Sequence, residues 1–266
     1  MHLKLKKRLG QNFLSDRNIL TKIIDSSELN PADIVLEIGS GCGELTKMIA
    51  ERVFKVYAVE IDTALCNGLL ENIKGIPNIE VINKDVLKLD FKGLFKKAQR
   101  KLKDCTIKVI GNIPYYISSP IIEYLFGFRY AIDSIFITVQ KEFARRMVAP
   151  SGSRVYGSFS CFVQYYAQAK ILFGISKNCF FPRPEVDSSF LRLEIKKELP
   201  LDNSEERLLF RIIRAAFNQR RKTLRNSLTG IVGSQKLLSF FSIYGIDKNT
   251  RPEDLSLSDF IALSKI

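Results

Sequence analysis

The chain contains no tryptophan and a single histidine, His2, among its 266 residues. Without imidazoles, neither a Ser-His-Asp triad nor a histidine-rich metal centre can be built. Cysteine is sparse as well: there are five, at 42, 66, 105, 161 and 179, with no CxxC pair among them. An odd number without that spacing suits reduced thiols and not a disulfide or zinc framework, so no metal is expected. No apolar run approaches the roughly eighteen residues needed to cross a bilayer. The basic start Met1-His2-Leu3-Lys4-Leu5-Lys6-Lys7-Arg8 leads into no apolar stretch and soon meets Asp16, which fits neither a secretory nor a transit signal. A cytoplasmic protein with no membrane partner is the expectation. Acidic residues are in deficit, 28 against 41 Lys+Arg, and the resulting +13 attracts polyanions, either nucleic acid or an acidic membrane face.

What is present is ordinary globular material: 46% of residues are apolar and 26% charged, enough for one large domain or two unequal ones. Through the first half, short β-branched runs (34–36, 56–59, 79–82, 107–110 and 134–139) alternate with helical patterns at 44–52, 63–73, 119–126 and 140–148. That alternation is the mark of βαβ units building a parallel sheet. Two further strands, 169–175 and 188–195, flank the loop Phe180-Phe181-Pro182-Arg183-Pro184 and suggest an antiparallel pair at one edge. After Leu199 no strand pattern returns. Helices are expected around 204–217, 234–242 and 253–264, the first opened by Asn203 and Glu206 in capping-box spacing. The expected division is 1–198 and 199–266. Between 207 and 225 lie seven basic residues and no acidic one. A continuous helix there would align Arg207, Arg211, Arg214, Arg221 and Arg225 opposite Leu209, Ile212, Ile213 and Ala216.

Ile34-Val35-Leu36-Glu37-Ile38-Gly39-Ser40-Gly41-Cys42-Gly43-Glu44 reads as a strand, a glycine-rich turn and a helix start. Glycines at such a turn let backbone approach a nucleotide-like ligand, and an acid closing the next strand can hold ribose hydroxyls; Glu60 has that spacing. A ligand-free tight turn would use the same glycines. The G-x-G-x-G spacing departs from the pyrophosphate-binding pattern of dehydrogenases, and Glu37 beside the turn would repel a diphosphate while favouring a cationic ligand such as S-adenosylmethionine. Asp85 follows the third strand, either as an acceptor for an adenine amino group or as a simple turn residue. After the fourth strand comes Gly111-Asn112-Ile113-Pro114-Tyr115-Tyr116. An exocyclic nucleobase amine is a poor nucleophile until acceptors take its hydrogens and turn its lone pair outward. Asn112 and a proline-held carbonyl supply such acceptors, and Tyr115 offers a ring for an extruded base. The plain alternative is a proline turn with core tyrosines.

Together with Gly10-Gln11-Asn12-Phe13-Leu14, Phe180-Phe181-Pro182-Arg183-Pro184-Glu185-Val186-Asp187-Ser188 and Ala216-Phe217-Asn218-Gln219-Arg220-Arg221-Lys222-Thr223-Leu224-Arg225-Asn226-Ser227-Leu228, these motifs resemble the ribosomal RNA adenine N6,N6-dimethyltransferases over nearly the whole chain. The last motif is similar to the KsgA-type branch acting on small-subunit (16S) RNA and unlike the erythromycin-resistance methylases of the large subunit. The resemblance implies a Rossmann-like class I methyltransferase sheet followed by a small all-helical domain. It also implies that two adjacent adenosines of the 3′-terminal hairpin each receive two methyl groups from S-adenosylmethionine, with a role in maturation of the 30S particle. Carried over by position, Asn12, Leu14, Gly39, Glu60, Asp85 and Asn112 would contact the cofactor, and Asn112, Pro114, Tyr115 and Phe180 the target adenine. Glu185 stands where many relatives carry a basic residue, which counts against a phosphate contact there.

The reading is therefore a methyltransferase, expected as a monomer, whose amine attacks in line at about 3–3.5 Å without an obligatory general base. Arg211, Arg214, Arg221 and Arg225 are the expected RNA grip. The rivals are an assembly factor acting mainly by binding, a large-subunit methylase and, more distantly, an NAD oxidoreductase.

Overall fold

In the computed structural model, which describes residues 10–99, 105–219 and 222–266, the expected alternation becomes a doubly wound sheet. The five parallel strands are β2 (Ile34–Ile38), β3 (Lys55–Glu60), β4 (Ile79–Asn83), β5 (Ile107–Asn112) and β6 (Ser134–Gln140), preceded by the two-residue β1 (Phe13–Leu14). Helices α1 (Arg17–Ser26), α2 (Glu44–Ala50), α3 (Thr63–Asn72), α4 (Phe91–Gln99) and α5 (Ser118–Phe126) lie before and between them, and α6 (Lys141–Met147) follows β6. Later come α7 (Ser158–Tyr166), β7 (Ala167–Ile175), β8 (Phe180–Phe181) and β9 (Ser188–Ile195). The last segment is helical: α8 (Asn203–Asn218), α9 (Leu224–Ser227), α10 (Ser234–Tyr244) and α11 (Leu257–Ser264). The large sheet runs β4-β3-β2-β5-β6-β9-β7, with β9 antiparallel to β6.

Central β2 is buried along its whole length, as a parallel strand covered on both faces must be. Its register with β5 sets Ile38 opposite Gly111. A Cβ on Gly111 would lie 2.8 Å from the Ile38 carbonyl oxygen, so only glycine lets the two strand ends come this close. Because β2 to β5 are parallel, their carboxyl ends share one edge. In spatial order that edge carries Asp85, Glu60, Gly39 and Asn112.

Helix α1 was not anticipated, although its signal was present. Asp16 caps it by accepting from the Asn18 and Ile19 amides, and Leu20, Ile23 and Ile24 form a buried i, i+3, i+4 stripe.

The chain forms two compact units. One comprises residues through Ala144 together with Lys170–Ile195; the other comprises Arg145–Ala169 and Lys196–Ile266. The second unit thus begins far ahead of Leu199, because α7 packs on α8 and α11. In it the Tyr166 hydroxyl donates to Glu206 at 2.7 Å, and the Phe217 ring lies 5.8 Å from Tyr156 and 5.9 Å from Phe260.

Three local expectations for this unit are corrected. The capping box sits one residue earlier than Asn203 and Glu206: Asp202 accepts from the Ser204 and Glu205 amides, and Glu205 accepts from the Asp202 amide. The Asp202 carboxylate is drawn below its usual pKa by those bonds. Secondly, α8 ends at Asn218 and Thr223 caps a separate short helix, so Arg225 does not continue the stripe of Arg207, Arg211 and Arg214. Those four arginines are exposed, while Leu209, Ile212, Ile213 and Ala216 are buried; Arg221 lies outside the described residues. Finally, the helix expected over 253–264 is broken, because Ser256 opens α11 with its own capping box to Asp259.

Candidate active site

The shared carboxyl edge opens into a cleft whose wall includes Gly10, Asn12, Gly39, Glu60, Asp85, Asn112, Pro114 and Tyr115. Seven of the sequence-derived site residues (Asn12, Gly39, Glu60, Asp85, Asn112, Pro114 and Tyr115) therefore come together. Gly39 adopts φ +76° and a Cβ there would sit 3.4 Å from the Asn112 carbonyl oxygen; Gly41 and Gly43 are also left-handed. This is backbone shaped for close approach.

Glu60 is 6% exposed. One carboxylate oxygen accepts from the Gly41 amide at 3.1 Å and the other from the Asp62 amide at 2.9 Å. Burial raises its pKa and the backbone donors oppose that rise. The acid thus ties the glycine turn to the end of β3. Each carboxylate oxygen keeps a second lone pair for a ligand. Asp85 caps the turn Val86–Lys88 by accepting from the Leu87 amide at 3.0 Å, and it also lines the cleft.

Asn112 closes β5, and its Nδ2 donates to the Asn12 carbonyl oxygen at 2.7 Å. That bond orients the amide and leaves Oδ1 without a partner among the described residues. The Pro114 carbonyl is occupied, accepting from the Ile117 amide at 3.2 Å and the Ser118 hydroxyl at 3.1 Å. The Ile113 carbonyl, in the peptide bond to Pro114, has no partner among the described residues, so the proline-held acceptor available here is that of Ile113. The Tyr115 hydroxyl meets Ser188 Oγ at 2.6 Å, and burial raises its pKa. Tyr116 stays 60% exposed at the lip.

A strap at residues 10–15 borders the cleft, its residues Gly10 to Phe13 lining the wall. Besides the Asn12 bond, Gln11 Nε2 donates to Asp62 Oδ2 at 3.2 Å, β1 pairs antiparallel with β8, and the Ser15 amide donates to the Cys179 carbonyl at 2.9 Å. The pairing sets Leu14 opposite Phe180 and Phe13 opposite Phe181. Leu14 does not line the cleft; it lines an adjoining cavity that also contacts Glu37, Gly41 and Asn112. Phe180 lines neither space. It is 4% exposed in the core with Ile23 and Phe190, while the neighbouring Phe181 is 67% exposed. Alternation along a strand accounts for the swap, since successive side chains of β8 point to opposite faces.

Glu37 is strongly altered by its surroundings. It is 2% exposed, burial lifts its pKa to about 7, and the Thr46 and Ser40 hydroxyls offset part of that rise without meeting hydrogen-bond geometry to the orphaned Oε2. A buried carboxyl with no partner at the wall of a cavity fits a cationic group. Sequence reasoning passed over Ile61, which is 51% exposed and lines the cleft beside Val86 and Ile38. An apolar residue directly after the acid of β3 was the available signal.

A mainly parallel sheet with a glycine turn after its central strand and acids after the next two is the Rossmann-like class I methyltransferase architecture. The ribosomal RNA adenine dimethylase family profile matches residues 2–266. The ribosomal RNA small subunit methyltransferase A of Clostridium botulinum is 41% identical over 262 residues, covering 98% of this chain and 93% of that protein. The protein of the same name from Alkaliphilus oremlandii is 42% identical over 264 residues, covering 98% and 91%. This chain therefore belongs to the ribosomal RNA adenine dimethylase family. Among solved structures, a dimethyladenosine transferase from Plasmodium falciparum superposes with a TM-score of 0.80 at 27% identity, covering 94% of this chain and 95% of that one. The 23S rRNA methyltransferase ErmE gives 0.75 at 24% identity over 95% and 98%, a likeness of fold.

Proposed function

We propose that the protein transfers methyl groups from S-adenosylmethionine to N6 of two adjacent adenosines in the 3′-terminal hairpin of small-subunit ribosomal RNA, within the assembling 30S particle, acting as a cytoplasmic monomer. The observation that carries this is the Asn112 amide, whose nitrogen is committed to the Asn12 carbonyl at 2.7 Å so that its oxygen is left to accept an N6 hydrogen. The Ile113 carbonyl is the second acceptor. With both hydrogens accepted, the amine lone pair leaves conjugation with the ring and faces the donor.

The residues fit the cofactor. The left-handed Gly39 and the orphaned Glu37 oxygen suit a cation-bearing chain, and Glu60 and Asp85 suit ribose and adenine. When bound, the cofactor supplies an electrophilic methyl group. Asn12, Leu14 and Gly39 shape the space for it, Tyr115 stacks on the extruded base, and Phe180 supports the strand that faces Leu14. Among the described residues no group of side chains could hold a metal ion and no helix is long and apolar enough to cross a membrane. The exposed Arg211, Arg214 and Arg225, with Arg221, grip RNA phosphates.

The test is single-turnover transfer of tritiated methyl to unmethylated small subunits. Asn112→Ala should lower the rate on the order of 10²-fold through misalignment while RNA binding and thermal unfolding stay near parental. A folded variant transferring at the parental rate refutes the role. A parent that binds subunits but transfers nothing favours the assembly factor that acts by binding.

A further inference from the structure

The Pro-Glu-Val-Asp-Ser segment contributes no atom to the cleft wall, yet Ser188 Oγ lies 2.6 Å from the Tyr115 hydroxyl across 73 residues of sequence. Ser188 is fully buried. It begins β9, and because β9 is antiparallel to β6, the first residue of β9 pairs with Gln140, the last of β6. The reversed strand thereby delivers the start of β9 to the carboxyl edge of the sheet, where the parallel strands deliver their ends. A parallel strand in that place would have put residue 195 there instead.

Ser188 is itself held firmly. The carboxylate of the preceding Asp187 accepts from the Lys177 amide at 3.1 Å, and the Asp187 carbonyl accepts from the Lys141 amide at 3.0 Å. These bonds fix the residue before Ser188 to the turn ahead of β8 and to the start of α6. An aromatic ring anchored only at Cβ rocks about χ1 and χ2. One whose far end is bonded to an immobile hydroxyl is confined at both ends.

We propose that Ser188 is a positioning residue for the reaction, holding the Tyr115 ring in the one orientation that stacks the target adenine with its N6 facing the methyl donor. The inference rests on the proposed methyl-transfer function and deepens it. Asp187 and the turn at Lys177 form the rigid base for the contact, which gives the Pro-Glu-Val-Asp-Ser motif a task in base alignment.

The experiment is a double-mutant cycle with Ser188→Ala and Tyr115→Phe, read by single-turnover methyl transfer at saturating RNA and cofactor. Each single variant should lose about fivefold in rate, the worth of one neutral hydrogen bond, with RNA and cofactor affinities within about twofold of parental. The double variant should be no slower than either single, because both changes remove the same bond. Ser188→Ala transferring at the parental rate, or two losses that multiply, overturns the inference. A purely structural role would lower thermal unfolding and leave the rate of the folded fraction unchanged. A hairpin RNA carrying 2-aminopurine at the target position separates this inference from the underlying function: ring stacking quenches its fluorescence whether or not methyl is transferred. Quenching by the parent that weakens in Ser188→Ala upholds the ring alignment even if the parent proves inactive as a methyltransferase. Equal quenching in both overturns it.

Discussion

Replacing Glu37 by glutamine should make the ligand-free protein more stable at alkaline pH while impairing cofactor binding. The folded protein holds the Glu37 proton up to about pH 7, whereas the unfolded chain releases it near the ordinary 4.5. The folded state therefore binds more protons between these values, and stability contributed by this group is lost as pH rises from about 4.5 to 7. At 1.36 kcal/mol per unit of pKa, the loss is about 3 kcal/mol. Glutamine keeps the shape, carries no charge and offers an amide hydrogen to the unpartnered Thr46 hydroxyl. Urea denaturation of parent and variant at pH 5 and pH 8.5 isolates the term, since all other titrating groups cancel in the difference. The variant should gain about 3 kcal/mol over the parent at pH 8.5 and little at pH 5. In the same window the parent's affinity for S-adenosylmethionine should climb about tenfold from pH 6 to 8, as the carboxyl ionises to meet a cation, and the variant's affinity should be lower and flat. A stability difference that is the same at both pH values would refute the reasoning.

Glu60→Ala should weaken S-adenosylmethionine about tenfold or more in calorimetric titration, since charge-assisted bonds to a diol are worth ~1.5–3 kcal/mol; unchanged affinity would remove Glu60 from the ligand site. Replacing Arg211, Arg214 and Arg225 together by glutamine should flatten the salt dependence of RNA binding by roughly 0.9 per lost phosphate contact on duplex, with cofactor affinity unaltered. Gly111→Ala should destabilise by about 1–3 kcal/mol in thermal or urea unfolding, because its Cβ would press on the Ile38 carbonyl oxygen at 2.8 Å.

Much of the cleft edge was legible in sequence because its determinants are local. A strand followed by Gly39, an acid at Glu60 and an amide at Asn112 each sit at the end of a β-branched run, and parallel pairing brings run ends together automatically. What escaped depends on distant pairings. Segment 145–169 joins the helical unit although the chain returns to the sheet at 170–195, and no local pattern reports that return. The inward turn of Phe180 follows from its register with Leu14, so two adjacent phenylalanines could not be ranked in advance. The capping box slipped by one residue because Asp202 and Asn203 are both good caps, and only the backbone shows which one lies outside the helix. The end of α8 at Asn218 agrees with the helix expected over 204–217, and only the conditional extension of the arginine stripe to Arg225 fails.

The bond that orients Asn112 comes from the main chain of residue 12, 100 positions away. Every amino acid carries that carbonyl, so no side-chain exchange at residue 12 deletes it, and a substitution survey of the strap would register the side chain of Asn12 while missing its backbone entirely. Backbone chemistry would reveal it: converting the amide bond between residues 12 and 13 to an ester makes the residue 12 carbonyl a poorer acceptor and frees the Asn112 amide to flip. The orientation of the Asn112 amide is thereby shielded from most point mutations in the strap and exposed to changes in its length, since inserting or deleting one residue between Gly10 and Phe13 would move a different carbonyl into place.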